Sequence, residues 1–339
     1  MCSVWRMSHD AQDHVSTGRL PGRDVVGEAV QRAYEDFRLL GEGEVIQDVP
    51  ALADADPDLF GVALVHVDGD EHTAGDSGHR FTIQSISKAF VYALVCQEIG
   101  HDAVLAKVGV DNTGVPFDSV LAIEHNDGHP MNPMVNAGAI ATTGLVPGAS
   151  RDDRWGFVLD GLSRFAGRDL EVDEDVFASE SKENERNLGL AHLLQGHDRL
   201  SGDPAEVVDT YTRQCALLVD ARDLAVMGAT LAGGGVNPVT GVQVVDPSIC
   251  RDTLSVLAST GMYERSGEWL FEVGAPAKSG ISGGIVTVSP GKGAIGTYSA
   301  LLDDAGSSVR GRRATAQLAR ELGLDLFASR AAPRRSSTT

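Results

Sequence analysis

Apolar residues near the start of the chain recur at helical spacing. From Asp24 to Leu40, the side chains of Val26, Ala29, Val30, Ala33, Tyr34, Phe37 and Leu40 share one stripe, which predicts an amphipathic helix closed near Gly41. The period then changes. Phe60, Val62, Leu64 and His66 alternate with small or apolar residues before Asp68-Gly69, a hairpin turn signal, and a return strand runs through His72 and Ala74. A short β-prone run from Phe81 delivers the chain to Ser85, after which an apolar helical stretch extends to Ile99 and stops at Gly100.

Beyond Gly100 the pattern to about residue 260 is helix and loop. Helices are expected from Asn136 to Leu145, Asp152 to Phe165, Asn187 to Leu194 after a polar stretch beginning at Ser179, Pro204 to Leu218, and Ala221 to Leu231. Strand patterns return from Trp269 to Val273, Gly283 to Val288 and Ala294 to Leu302, followed by an amphipathic helix from Ala314 to Leu322. Strands at both ends with helices between predict an α/β chain of the α+β multi-domain type. One antiparallel sheet is assembled from both ends, and a helical insertion forms the second part. The expected boundaries are a disordered leader over 1–22, a sheet subdomain over 23–84 and 262–328, a helical subdomain over 85–261, and a disordered tail over 329–339.

Composition narrows the function classes. With 339 residues, 42% hydrophobic, the chain can bury a sizeable core. A formal charge of −20 argues against a nucleic-acid surface, because phosphate recognition needs clustered Lys and Arg. Cys2, Cys96, Cys215 and Cys250 lack zinc or disulfide spacing, so neither a metal nor another cofactor is expected. The N-terminal residues lack the continuous apolar segment of a secretory signal, and the most apolar stretch, Ala89 to Cys96, is too short to span a bilayer. A cytoplasmic protein that does not bind membranes is expected.

The chemistry centres on Ser85 and Lys88, whose spacing puts both on one helix face. A serine hydroxyl needs a neighbouring base to become a nucleophile, and a lysine can serve only when partly neutral. Burial and a second nearby cation both favour the neutral amine. Ala277-Lys278-Ser279-Gly280 precedes a strand pattern, and Lys-Ser-Gly beside Ser-x-x-Lys is the arrangement of serine β-lactamases and penicillin-binding proteins. Lys278 is placed to be the second cation.

Further segments complete a resemblance. Gln84-Ser85-Ile86-Ser87-Lys88, Asn132-Pro133-Met134-Val135-Asn136-Ala137-Gly138, Ser179-Glu180 through Arg186-Asn187, Tyr211-Thr212-Arg213-Gln214-Cys215, Gly261-Met262-Tyr263 and Pro276-Ala277-Lys278-Ser279-Gly280-Ile281 occur in one order. In that order they resemble the serine-dependent glutaminase family, which has the β-lactamase-like fold, and the match runs from about Asp24 to Arg310. The resemblance implies hydrolysis of L-glutamine to L-glutamate and ammonia through a glutamyl ester on Ser85. It implies Lys88 as base and Tyr263 as proton shuttle, with Lys278 in support. Ser85, Asn136, Glu180, Asn187, Tyr211, Tyr263 and the Ile281 backbone match substrate-binding positions. It also implies a homodimer or homotetramer.

Those residue types suit the substrate. Free glutamine carries an ammonium and a carboxylate, for which Glu180 supplies an anion and Asn136, Asn187 and Tyr211 supply neutral polar groups. Two positions depart from the family. Asp48 stands where relatives carry a tyrosine that contacts substrate, and a carboxylate there repels the substrate carboxylate unless it points away or pairs with the ammonium. Gly306-Ser307-Ser308 replaces the usual Gly-Asn-Ser.

Overall fold

The structure is a computed structural model that describes residues 18–112, 123 and 126–329. Most of the expected leader and tail, and Cys2, lie outside the described residues. The first helix, α1 (Arg23–Phe37), buries Val26, Ala29, Val30 and Ala33, the stripe its spacing predicts. The hairpin follows as β1 (Gly61–His66) and β2 (Glu71–Gly75), paired antiparallel with Leu64 opposite His72.

The chain next forms β3 (Phe81–Thr82), a 3-10 turn at Gln84–Ile86, α2 (Ser87–Ile99) and α3 (His101–Leu105). Gly100, with φ of 83°, ends α2 as expected. The described helical section continues with α4 (Asn136–Gly144), α5 (Arg151–Ala166), α6 (Glu174–Lys182), α7 (Glu185–Gly196) and α8 (Pro204–Cys215). After β4 (Leu218–Val219) come α9 (Ala221–Ala232), α10 (Pro247–Thr260) and α11 (Ser266–Glu272). The chain returns through β5 (Ala277–Ser279), β6 (Gly284–Ser289) and β7 (Gly293–Tyr298) to α12 (Val309–Leu322).

One strand expectation fails. Trp269 to Val273 is helical, because its buried positions, Trp269 and Val273, lie four apart while Phe271 between them is 91% exposed. A short apolar run satisfies period two and period four alike. Here the Trp269 indole, which donates to the Ala275 carbonyl at 2.9 Å, ties the helical turn down.

The main sheet has the order β2-β1-β7-β6-β5, so the N-terminal hairpin is joined to the C-terminal strands through the antiparallel β1–β7 pair. That is the expected sheet. Alternation along its strands feeds two cores: Val62, Leu64, Ile285 and Ile295 pack with α1 and α12, whereas Ala63, Val65, Val286 and Ala294 join the core shared with the helices. The helix α9 lies across that second face, and glycine makes the approach possible. A Cβ on Gly296 would sit 1.9 Å from the Ala221 carbonyl oxygen, so any side chain there would lift α9 off β7.

Candidate active site

The segment bearing Ser85 is held from two sides. Phe81 and Thr82 pair with Val219 and Leu218, and the Ile83 amide donates to the Leu217 carbonyl at 2.8 Å. Ser282, at the β5–β6 turn, donates its hydroxyl to the Thr82 carbonyl at 2.7 Å. Between these anchors Gln84 takes the left-handed region at φ 51°, which costs a non-glycine residue about 1 kcal/mol and swings the chain into the Ser85 turn. Tyr263 has a similar φ of 55°, so strain concentrates on both sides of one spot.

Ser85 and Tyr263 are hydrogen bonded through their side chains. Burial pushes the Tyr263 phenol well up from its usual value, with the bond to Ser85 opposing, so the ring keeps its proton at neutral pH. Two lysines flank this ring. The Lys278 ammonium lies 3.8 Å and the Lys88 ammonium 5.5 Å from its centroid. Both are buried, and Lys278 is driven well below the normal lysine range by burial first and by Lys88 second. The second lysine expected from the sequence is therefore in place, presented by β5 at the end of the sheet, but burial favours its neutral amine over the cation.

Lys88 reaches across from α2. Its Nζ donates to the Met134 carbonyl at 3.1 Å and to Asn136 Oδ1 at 2.7 Å. The Asn132-Pro133-Met134-Val135-Asn136 segment is shaped for this, because Asn132 Oδ1 accepts from the Met134 and Val135 amides and folds the turn that starts α4. Asn136 also accepts from the Tyr211 hydroxyl at 3.4 Å and donates to Asn187 at 3.3 Å. Burial raises the Tyr211 phenol well above its ordinary value.

Glu180, from α6, accepts from Gln84 Nε2 at 2.9 Å. Burial raises its carboxyl to about 7, a shift the Gln84 bond partly opposes. Near neutral pH such a carboxyl is divided between its protonated and ionised forms when the cleft is empty, and a cation draws it to the ionised form.

Ser85, Asn136, Glu180, Asn187, Tyr211 and Ile281 line one cleft of about 220 Å³. Lys88, Lys278 and Tyr263 stand behind Ser85 and not on the lining. Asp48 lines the cleft as well, at its exposed mouth beside Glu183. The loop that carries Asp48 is clamped at its base by the buried Arg310, which donates to the Leu40 and Pro57 carbonyls, both at 2.7 Å. Gly306 approaches Ile281 closely enough that a Cβ would lie 3.6 Å from its side chain, placing the variant Gly306-Ser307-Ser308 loop against the cleft.

Sequence reasoning missed several contributors. Gln84, Asn184, Thr212 and Cys215 also line the cleft. Gln84, Thr212 and Cys215 stand inside or next to the quoted motifs, but their contacts join residues far apart in the chain and leave no periodic signal. The Cys215 thiol is pushed up to about 12, by burial first, and is inert as a nucleophile. Among the described residues no group of three or more His, Cys, Asp or Glu side chains could hold a metal, and no helix is long and apolar enough to cross a membrane.

A serine three residues ahead of a buried lysine, faced by a Lys-Ser-Gly strand, defines a hydrolase of the β-lactamase-like class. The glutaminase family model matches residues 43–327. The chain is 54% identical over 317 residues to Glutaminase 2 of Yersinia pestis, covering 94% of this chain and 93% of that one. Among solved structures, the probable glutaminase ybaS superposes with a TM-score of 0.90 at 40% identity, over 91% of this chain and 100% of that one. Mglu in its glutamate form gives 0.86 at 40% identity, over 91% and 72%. The chain belongs to the glutaminase family, and its reaction is hydrolysis of glutamine to glutamate.

Proposed function

We propose that the enzyme acts on free L-glutamine through a covalent γ-glutamyl ester on Ser85. The observation that carries this reading is the contact of the Ser85 hydroxyl with Tyr263, a phenol flanked by two buried lysines. Ser85 Oγ attacks the side-chain carbonyl carbon, and its proton passes to the Lys88 amine, directly or through the Tyr263 hydroxyl. Burial, and Lys88 after it, hold the Lys278 amine well below the normal lysine range, so the two amines do not both carry a charge behind Ser85. The backbone N–H of Ile281 faces the oxyanion, as the family resemblance implies. The C–N bond then breaks, the leaving nitrogen takes the proton and departs as ammonia, and water opens the ester by the reverse route to release glutamate.

The amino-acid end lies across the floor formed by Asn136, Glu180, Asn187 and Tyr211. Glu180 pairs with the α-ammonium, and the amides serve the α-carboxylate. Asp48 at the mouth acts as a weak electrostatic tuner in place of a tyrosine contact. The glutamate form of Mglu, a protein similar over most of this chain, supports a glutamate-shaped cleft. The same reading takes the protein to be a cytoplasmic homodimer or homotetramer, on the strength of the family resemblance, and light scattering tests the assembly.

The test is ammonia release from glutamine, run beside Ser85→Ala and with asparagine as control, together with mass spectrometry of the quenched enzyme. A single glutamyl adduct on Ser85 that disappears in the mutant is expected. Undiminished turnover by Ser85→Ala would remove Ser85 from the role.

A further inference from the structure

The hydrogen bonds below the cleft form one continuous chain. Lys88 Nζ donates to Asn136 Oδ1 at 2.7 Å, Asn136 Nδ2 to Asn187 Oδ1 at 3.3 Å, and Asn187 Nδ2 to Asn184 Oδ1 at 2.8 Å. Asn184 Nδ2 then donates to Thr212 Oγ1 at 2.6 Å, and the Thr212 hydroxyl donates to the Val208 carbonyl at 2.8 Å within α8. Asn184 and Thr212 are both buried.

The direction of this chain is set independently at its two ends. At one end Asn136 Oδ1 meets two donors, Lys88 and Tyr211, so both of its lone pairs are filled. At the other end the single Thr212 proton is committed to Val208, so its oxygen can only accept from Asn184. That commitment makes Asn184 turn its N–H toward Thr212 and its oxygen toward Asn187. Asn187 must then donate to Asn184 and accept from Asn136. Each amide spends one N–H in the chain and keeps another, and Asn136, Asn184 and Asn187 all line the cleft.

We propose that Asn184 and Thr212 are positioning residues that fix the polarity of this amide relay and so present N–H donors, not carbonyl oxygens, to the α-carboxylate of the substrate. This rests on the reading that the amino-acid end of glutamine lies over Asn136 and Asn187. A floor of uniform polarity selects a free α-carboxylate over a neutral α-carboxamide, because the carboxamide brings N–H groups of its own against donors. If Asn187 flipped, one wrong oxygen would face the anion.

The experiment compares Thr212→Val and Asn184→Leu, both close in shape to the residues they replace, with Thr212→Ser. L-Glutamine and L-glutamine α-amide serve as the two substrates. Loss of one buried hydrogen bond predicts a KM for glutamine raised about tenfold in Thr212→Val and Asn184→Leu, with kcat within about twofold. The preference for glutamine over its α-amide narrows by about the same factor, and Thr212→Ser, which keeps the hydroxyl, recovers both values to within about twofold. A purely structural role would not move the preference between two substrates.

An unchanged KM and unchanged preference in Thr212→Val overturns the proposal, as does a Thr212→Ser enzyme no better than Thr212→Val. Should Asn184→Leu fail to fold, the Thr212 pair decides alone. Ser85→Ala is assayed alongside. If it is silent while Thr212→Val matches wild type, only the relay is wrong; if it turns over normally, the reading of the whole site fails.

Discussion

Two regions around Ser85 obey different physics. Behind Ser85, Lys88, Lys278 and Tyr263 are buried, and Lys278 and Tyr263 are pushed far from their ordinary protonation equilibria. At the mouth, Asp48 and Glu183 are exposed and keep their water. Burial multiplies electrostatic interactions, whereas exposed charges are weakened by solvent and salt. The buried group behind Ser85 therefore carries the chemistry, and the mouth adjusts it.

The sharpest way to test that contrast is to remove one group at a time from each part. Ser85→Ala is expected to lower kcat by roughly four orders of magnitude or more, measured by ammonia release. Lys278→Met comes next. It fills the same space without the amine, so kcat should fall by about 10² to 10³ while the melting temperature holds or rises, since burying an amine carries a desolvation cost that a thioether does not. A melting temperature that falls in step with activity would make Lys278 a structural residue and erase the distinction between the buried group and the mouth.

Glu180 stands between the two parts and gives the contrast a pH axis. Its carboxyl lies at about 7 in the folded protein against 4.5 ordinarily, so from about 4.5 to about 7 the native state holds a proton that the unfolded chain has lost. The stabilising contribution is full below that window and lost as pH rises through it. Substrate binding has the opposite sign, because the α-ammonium favours the ionised carboxylate. The KM for glutamine should rise as pH falls below about 7, and Glu180→Gln should raise KM by about 10 to 100-fold and flatten that limb. A KM that still rises below neutrality in Glu180→Gln would assign the limb to another group.

The smallest effect belongs to the mouth. Asp48→Asn should change KM by less than about threefold, and the change should vanish in high salt. An effect as large as that of Glu180→Gln would mean that Asp48 touches the substrate and that the mouth is part of the recognition floor.

Much of this is legible in the sequence. The α1 stripe, the β1–β2 hairpin and the stop at Gly100 follow from local spacing and turn chemistry. The segment from Trp269 to Val273 was misread because five residues are too few to separate two periods, and burial of Trp269 with Val273 decided for helix. Ser85 and Lys88 are local neighbours, and Lys278 and Tyr263 were reachable through their motifs. The pairing of Asn184 with Thr212 was not, although both fall within the motif segments, because a hydrogen bond between residues 28 apart in the chain has no periodicity to betray it.

The sequence by itself determined most of the elements, the antiparallel sheet drawn from both ends and the residue types of a serine–lysine hydrolase, since these depend on spacing within short windows and on motifs in a fixed order. Tertiary structure alone decided which groups are buried together: that Lys278 presses on the Tyr263 ring, that Glu180 is desolvated against Gln84, and that four side chains link Lys88 to α8. Desolvation and hydrogen-bond polarity are properties of neighbours in space, and only the packed chain brings those neighbours into contact.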